Sequence, residues 1–263
     1  MLAGLLVSFN KNIENRYYMK YRILTVVGVL IFSFAFSSTA EINNTKDSEI
    51  IPKESLNLEV TKTFEEKVAD LYKTFSLNNA SMPEISVFEK AITGYTKLDE
   101  AGRVANPLLT VIDFNLSSKK KRMWILNMDS KKVVFNTYVA HGRNTGGEFA
   151  KNFSNKVNSH QSSLGFYVTG ETYFGKNGLS LFIDGMEKDF NSKARERYVV
   201  IHGADYAEPE FIQRVGRLGR SYGCPAVPNK IAKNLIHKIK GKSVIFIHKS
   251  NEDYLQKSDL INA

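Results

Sequence analysis

From residue 108 onward the apolar residues of this chain come in short runs, at 108–114, 123–126, 133–140, 166–169, 179–183, 198–201 and 244–247. Each is rich in β-branched and aromatic side chains, has the length of a strand, and is bounded by polar turn residues. Seven strands within about 140 residues predict a mainly β fold, a sandwich or barrel-like sheet. One helix is expected to interrupt late, from 229 to about 240, with Ile231, Leu235, Ile236 and Ile239 as its buried stripe.

The residues before this stretch follow a different period. Phe64, Val68, Leu71, Tyr72 and Phe75 recur at helical spacing behind Glu65 and Glu66, which suit a helix N-terminus. A second helix is expected to open at Ser81-Met82-Pro83, present Ile85, Phe88, Ile92, Tyr95 and Leu98, and end before Gly102. Residues 61–104 are read as a helical extension bracing a catalytic domain at 105–250, with 251–263 as a C-terminal tail. Residues 41–60 are polar and without period, as a disordered spacer would be.

Residues 1–40 read as an export signal. Basic Lys11, Arg16, Lys20 and Arg22 precede an uncharged apolar run at 23–36, and Ser38-Thr39-Ala40 offers small residues for cleavage. Such a run is short of the roughly 20 residues that span a bilayer, so a retained anchor is the weaker reading. Met19-Lys20 would also make a conventional start, which would leave residues 1–18 untranslated. The periplasm or cell envelope is the expected destination.

The signal carries +3 of the formal charge of +9, and the remainder is still basic. That balance favours loose association with an anionic wall or membrane surface. Nucleic acid is not an expected partner, because no basic run is interleaved with aromatics. The Lys119-Lys120-Lys121-Arg122 run reads as a solvated hairpin tip. The sequence does not bear on oligomeric state.

Cys224 is the only cysteine. A lone thiol in an exported chain has no disulfide partner within it, so it is either an inert core residue or a reactive group. Gly223 before it opens an approach and Pro225 after it stiffens the turn, which favours reactivity. A thiol near its ordinary pKa is mostly protonated at neutral pH and needs a base. Among five histidines, His237 and His248 read as surface residues and His160 as a solvated loop residue. His202 differs because it ends the run at 198–201 and precedes Gly203, a strand-end position held by rigid scaffold. His141-Gly142 has a similar placement.

The order His202-Gly203, then Ser221-Tyr222-Gly223-Cys224 after a loop, resembles the signature of the L,D-transpeptidase catalytic domain (YkuD-like), whose members cross-link peptidoglycan through a cysteine acyl-enzyme. Ser162-Ser163-Leu164-Gly165-Phe166-Tyr167 is similar to the family segment that lines the cleft. The resemblance covers roughly 108–248 and leaves both N-terminal helices outside. Most members follow the cysteine with a hydrophobic residue and an arginine. Pro225-Ala226-Val227 departs from this and resembles the murein L,D-transpeptidase subfamily with Gly-Cys-Pro. The departure leaves open what holds the substrate carboxylate, with Arg220 and Arg217 as candidates because guanidinium groups grip carboxylates.

The resemblance implies peptidoglycan stem peptides as substrate, Cys224 as nucleophile, His202 as base, and the Gly203 carbonyl as the group orienting His202. Asp205 is the side-chain alternative for that last task. Pro225 has no N–H, so oxyanion donors must come from Tyr222, Gly223 and Cys224. Ser221 either binds substrate or stabilises the turn. His141 either contacts substrate across the cleft or caps a turn, and Asn155 is a weaker candidate contact. His141, His160 and His202 lack the close spacing of familiar zinc motifs, so neither metal nor cofactor is expected. Three other readings stay open: a hydrolase such as an L,D-carboxypeptidase on the same scaffold, a non-catalytic wall-binding module, and a redox-active thiol. A sortase-like enzyme also places His before Cys, but no arginine follows Cys224 closely.

Overall fold

The computed structural model describes residues 62–75 and 81–262; the expected signal and spacer lie outside the described residues. Helix α1 (Phe64–Thr74) opens with a capping box in which Thr63 and Glu66 satisfy each other's backbone N–H groups. Helix α2 (Ile85–Glu100) packs Phe88 edge-on against Tyr72, with ring centroids 5.2 Å apart, and buries Val87, Phe88, Ala91, Ile92 and Leu98. Ile85, expected on the buried stripe, is exposed. The stripe runs through Val87 and Ala91 instead, and Gly94 lets the helix lie directly on Phe166 of the sheet.

The strands are β1 (Leu108–Asp113), β2 (Met123–Asn127), β3 (Lys132–Thr137), β4 (Gly165–Gly175), β5 (Gly178–Gly185), β6 (Val200–Ala204), β7 (Ala226–Pro228) and β8 (Val244–His248). They form one sheet in the order β3-β2-β1-β8-β4-β5-β6-β7. The expected mainly β, barrel-like fold is what is found. β3 and β7 are the edges, and the chain leaving β3 pairs back onto β7 through mutual backbone bonds between Ala140 and Ala226. Edge groups that would otherwise await a partner are satisfied, and the sheet nearly closes on itself. Most pairs are antiparallel; β1 with β8 and β6 with β7 are parallel.

Two helices follow β6 and β7. Helix α3 (Pro209–Val215) has Pro at its start and Gly216 in the left-handed conformation at its end, a signature present in the sequence but not read there. Helix α4 (Asn229–Ile239) buries Ala232, Leu235, Ile236 and Ile239, with Ile231 only partly buried. The stretch expected as a C-terminal tail instead forms α5 (Glu252–Lys257), whose Tyr254 is fully buried with its hydroxyl 3.2 Å from Glu187. None of the described helices is long and apolar enough to cross a membrane.

Two surface expectations are corrected. Arg122, placed on a solvated tip with Lys119–Lys121, is fully buried beneath the Phe114 ring and donates to the carbonyls of Val139 and Leu116. It has turned inward because Lys119–Lys121 form the tip and Arg122 already pairs with the sheet at Thr137. His248 closes β8 and is buried against Phe246, its Nδ1 without a partner among the described residues.

Burial pushes the His248 pKa down to about 4 from 6.5. The unfolded chain therefore takes up a proton between these values that the folded chain refuses, so the stability His248 contributes is complete above pH 6.5 and is lost as pH falls. His248→Phe removes this titration. Relative to wild type, the variant should gain about 1.4 kcal/mol for each pH unit of acidification across that window. Denaturant unfolding of both proteins reads the difference, and a constant offset across the window would contradict it.

Candidate active site

β6 and β7 lie side by side in parallel, with His202 opposite Ala226 and Gly203 opposite Val227. On its other flank His202 faces Ser180 of β5. Both neighbours are small, which leaves the imidazole room on that face of the sheet. Cys224 lies two residues before Ala226, on the turn that enters β7, so it falls beside β6 at the level of Val200. His202 is 3% exposed, while Cys224 is half-buried.

The thiol lies between two backbone groups. Val200 N–H donates to Sγ at 3.5 Å, and the thiol faces the Tyr198 carbonyl at 3.4 Å. No hydrogen bond among the described residues joins Sγ to His202. Tyr198 supplies its carbonyl from a left-handed backbone conformation, φ +52°, that costs a non-glycine residue about 1–2 kcal/mol. Burial raises the Cys224 pKa, with the Val200 N–H and the Arg197 charge acting against it. Burial lowers that of His202. Burial therefore favours the neutral form of each.

His202 Nδ1 lies 2.9 Å from the carbonyl of Gly203. This contact suits an Nδ1–H tautomer and leaves Nε2 as the basic nitrogen. Asp205, the alternative orienting group, is instead engaged with the Asn229 side-chain amide. The same Asn229 sits where a Cβ on Gly203 would have to be. A side chain at 203 would displace the start of α4.

The turn around Cys224 is held by Ser221. Its hydroxyl donates to the Cys224 carbonyl at 2.6 Å and accepts from Gly223 N–H at 3.0 Å. Ser221 is buried and occupied within the turn, which is the second of its two expected roles in geometry. Gly223 N–H is thereby already engaged. Of the three N–H groups expected to face an oxyanion, only those of Tyr222 and Cys224 have no partner among the described residues. Ser162 ties the turn from the opposite wall, donating to the Gly223 carbonyl at 3.1 Å and accepting from Gly142 N–H.

The remaining candidates lie farther from reacting atoms. His141 is buried, 2.9 Å from an Arg122 Nη2 that shares it with the Val139 carbonyl, and stacks edge-on to Phe114. Burial and the Arg122 charge push its pKa down to about 3. It supports the wall, and its carbonyl accepts from Ser221 N–H. Arg217 spends a donor on the Leu218 carbonyl, and Arg220 on the carbonyls of Arg143 and Gly146. Asn155 joins Lys188, Ser192 and Lys193 away from Cys224. Among the described residues no three His, Cys, Asp or Glu side chains converge as metal ligands would.

Three residues packed on the nucleophile turn are not among the expected site residues. Arg143 is exposed and lies over the Tyr222 ring, 5.0 Å from its centroid, with no salt-bridge partner among the described residues. His160 packs edge-on to the same ring at 4.8 Å, rather than standing free in its loop. Arg197 ties the loop beneath Gly223. The pairing of Gly142 with Ser221, which seats Arg143 beside Tyr222, is a long-range contact with no local signal.

A family model described as an L,D-transpeptidase catalytic domain, YkuD_2, matches residues 79–248, well over half of the chain. The chain belongs to this family. The L,D-transpeptidase match begins before α2 and takes that helix in, beyond the expected span of 108–248. An L,D-transpeptidase from Mycobacterium smegmatis is similar at 10% identity, with 54% of this chain and 59% of that one covered and a TM-score of 0.34. For an L,D-transpeptidase of Enterococcus faecium the values are 16%, 55%, 50% and 0.32. For one from Stackebrandtia nassauensis they are 12%, 72%, 90% and 0.33. This chain spans 59% and 50% of the length of the first two. No curated protein matches the sequence.

Gly223 is held in a backbone conformation open only to glycine, φ +124°, and a Cβ there would lie 2.8 Å from the Gln161 carbonyl. Gly223→Ala should cost about 1–3 kcal/mol of stability. It should also slow alkylation of the single cysteine. Denaturant unfolding and iodoacetamide labelling of the variant check this, and wild-type behaviour in both would contradict it.

Proposed function

We propose that this chain is an exported cysteine acyl-transfer enzyme acting on peptidoglycan stem peptides, with Cys224 as nucleophile and His202 as its base. The observation that carries this reading is the register of β6 with β7 in a chain of the L,D-transpeptidase family. It puts the only thiol beside the strand bearing a neutral, backbone-oriented imidazole. His202 Nε2 takes the thiol proton, and the thiolate attacks the carbonyl carbon of the L-centre residue in the donor stem. Tyr222 and Cys224 N–H groups receive the oxyanion. His202 returns the proton to the departing amine of the terminal D-residue, leaving a thioester. An acceptor amine then attacks, loses its proton to His202, forms the new amide and releases Cys224.

Arg143 is the guanidinium best placed for a substrate carboxylate, since Arg217 and Arg220 already donate to backbone carbonyls. Its seat over Tyr222 leaves it facing solvent beside the turn. In the same reading residues 1–40 direct export to the periplasm or envelope, 41–60 are a spacer, and the basic surface favours loose contact with an anionic wall.

Muropeptide analysis tests the reaction. Purified full-length protein incubated with tetrapeptide-bearing peptidoglycan should yield L,D cross-links. Cys224→Ala should yield none, and His202→Gln should slow their formation by at least about a hundredfold. Shortened stems without cross-links would assign a hydrolase instead. No change in the substrate with folded protein would point to a wall-binding module.

A further inference from the structure

Arg197 is half-buried against the nucleophile turn and has no carboxylate within salt-bridge distance among the described residues. All its terminal donors are spent on neutral oxygens. Nη1 donates to the Ser154 carbonyl at 2.7 Å and to Ser163 Oγ; Nη2 donates to the Gln161 carbonyl at 2.5 Å and to Ser159 Oγ at 3.3 Å. Neighbouring Arg195, by contrast, is exposed and paired with both Glu171 and Asp184. A guanidinium partly withdrawn from water without an anion is costly, and while the fully buried Arg122 is also held on neutral partners, Arg197 lies against the nucleophile turn itself. Arg197 Nη2 would lie 3.4 Å from a Cβ on Gly223, next to the nucleophile.

We propose that Arg197 is a positioning residue that stabilises the ionised form of Cys224, supplying a positive charge beside the nucleophile turn, where no hydrogen bond among the described residues joins Sγ to His202. This inference rests on Cys224 being the nucleophile. In the ionisation the S–H bond breaks, its electron pair stays on sulfur, and the proton passes to His202 Nε2. Arg197 offers charge and not hydrogen bonds, because its four Nη donors are already committed to the loop. It cannot grip substrate without releasing that loop.

The other groups around the thiol do not offer this charge. Burial disfavours the cationic form of His202 on β6. Tyr206 in the turn after β6 has its ionisation pushed up by burial and by Cys224 itself. Arg143 and His160 are turned onto the Tyr222 ring. Cys224 and Arg197 interact electrostatically in both directions: the cation favours the thiolate, and the thiolate favours the cation.

The single cysteine makes the test direct, since any alkylation reports Cys224. The pH–rate profile of iodoacetamide labelling is measured on the full chain for wild type, Arg197→Lys, Arg197→Gln and Ser163→Ala. Arg197→Gln removes charge and should move the midpoint up by about one unit. Labelling at neutral pH should then fall roughly fourfold, because each unit costs tenfold in thiolate and returns about 2.5-fold in intrinsic nucleophilicity. Arg197→Lys keeps charge but breaks the four-bond tie, and should stay within about 0.3 unit of wild type. Ser163→Ala loosens the tie alone and should not move the midpoint.

A folded Arg197→Gln with an unmoved midpoint would overturn the proposal. So would an Arg197→Lys profile shifted as far as that of Arg197→Gln, since the loop tie would then be the whole effect. If Arg197→Gln does not fold, a midpoint raised by about one unit in Arg197→Lys or in Ser163→Ala would overturn the proposal, since both keep the charge and disturb only the loop tie. Cross-linking by the wild type, measured separately, distinguishes failure of this inference from failure of Cys224 as nucleophile.

Discussion

The parallel pairing of β6 with β7 is the constraint on which the site depends. β7 is three residues long and could not persist alone. It is held on one side by β6 and on the other by the mutual bonds of Ala140 and Ala226, which fold the β3 end of the sheet back onto it. Parallel strands need a connection that crosses over, and here the crossover carries α3 and the loop ending in Arg220. Sheet closure, motif spacing and the proximity of imidazole and thiol are therefore one structural fact. Pro225 at the entrance of β7 gives up an N–H where the ladder has not yet begun.

Around that pairing the walls are tied mainly by neutral hydrogen bonds, with cations buried behind them. Ser221 closes the turn on itself, Ser162 bridges it to Gly142, and Arg122 holds His141 so that its carbonyl can receive Ser221 N–H. Burial keeps Arg122 and His141 less basic than usual, the former down to about 9. A site built in this way is preorganised: its donors are already oriented before charge develops on substrate.

Much of this fold was legible in the sequence because it is encoded locally. Alternation of apolar runs and turns located seven of the eight strands, and helical spacing of apolar residues located α1 and α2 to within a few residues. β7 escaped because Ala-Val-Pro has neither length nor β-branched density. Arg122 and His248 were misplaced because charge and position near a strand end do not reveal which way a side chain turns once the sheet curls. For the site, the His-Gly and Gly-Cys-Pro stretches named a pair of residues and the missing proline N–H narrowed the oxyanion donors. The sequence did not reveal that Ser221 already occupies Gly223 N–H, nor that Arg143 and Arg197 approach the turn from segments far away in the chain. Those facts arise from packing, which has no local pattern.

The central claim is that Cys224 is an acyl-accepting nucleophile and not a buried or merely oxidisable thiol. Intact-mass measurement of the full-length protein after incubation with a carbapenem tests it most directly. The account predicts a single covalent adduct of the intact drug's mass on wild type, absent from Cys224→Ala. A folded wild-type protein that stays unmodified, or an adduct that persists in Cys224→Ala, would contradict it.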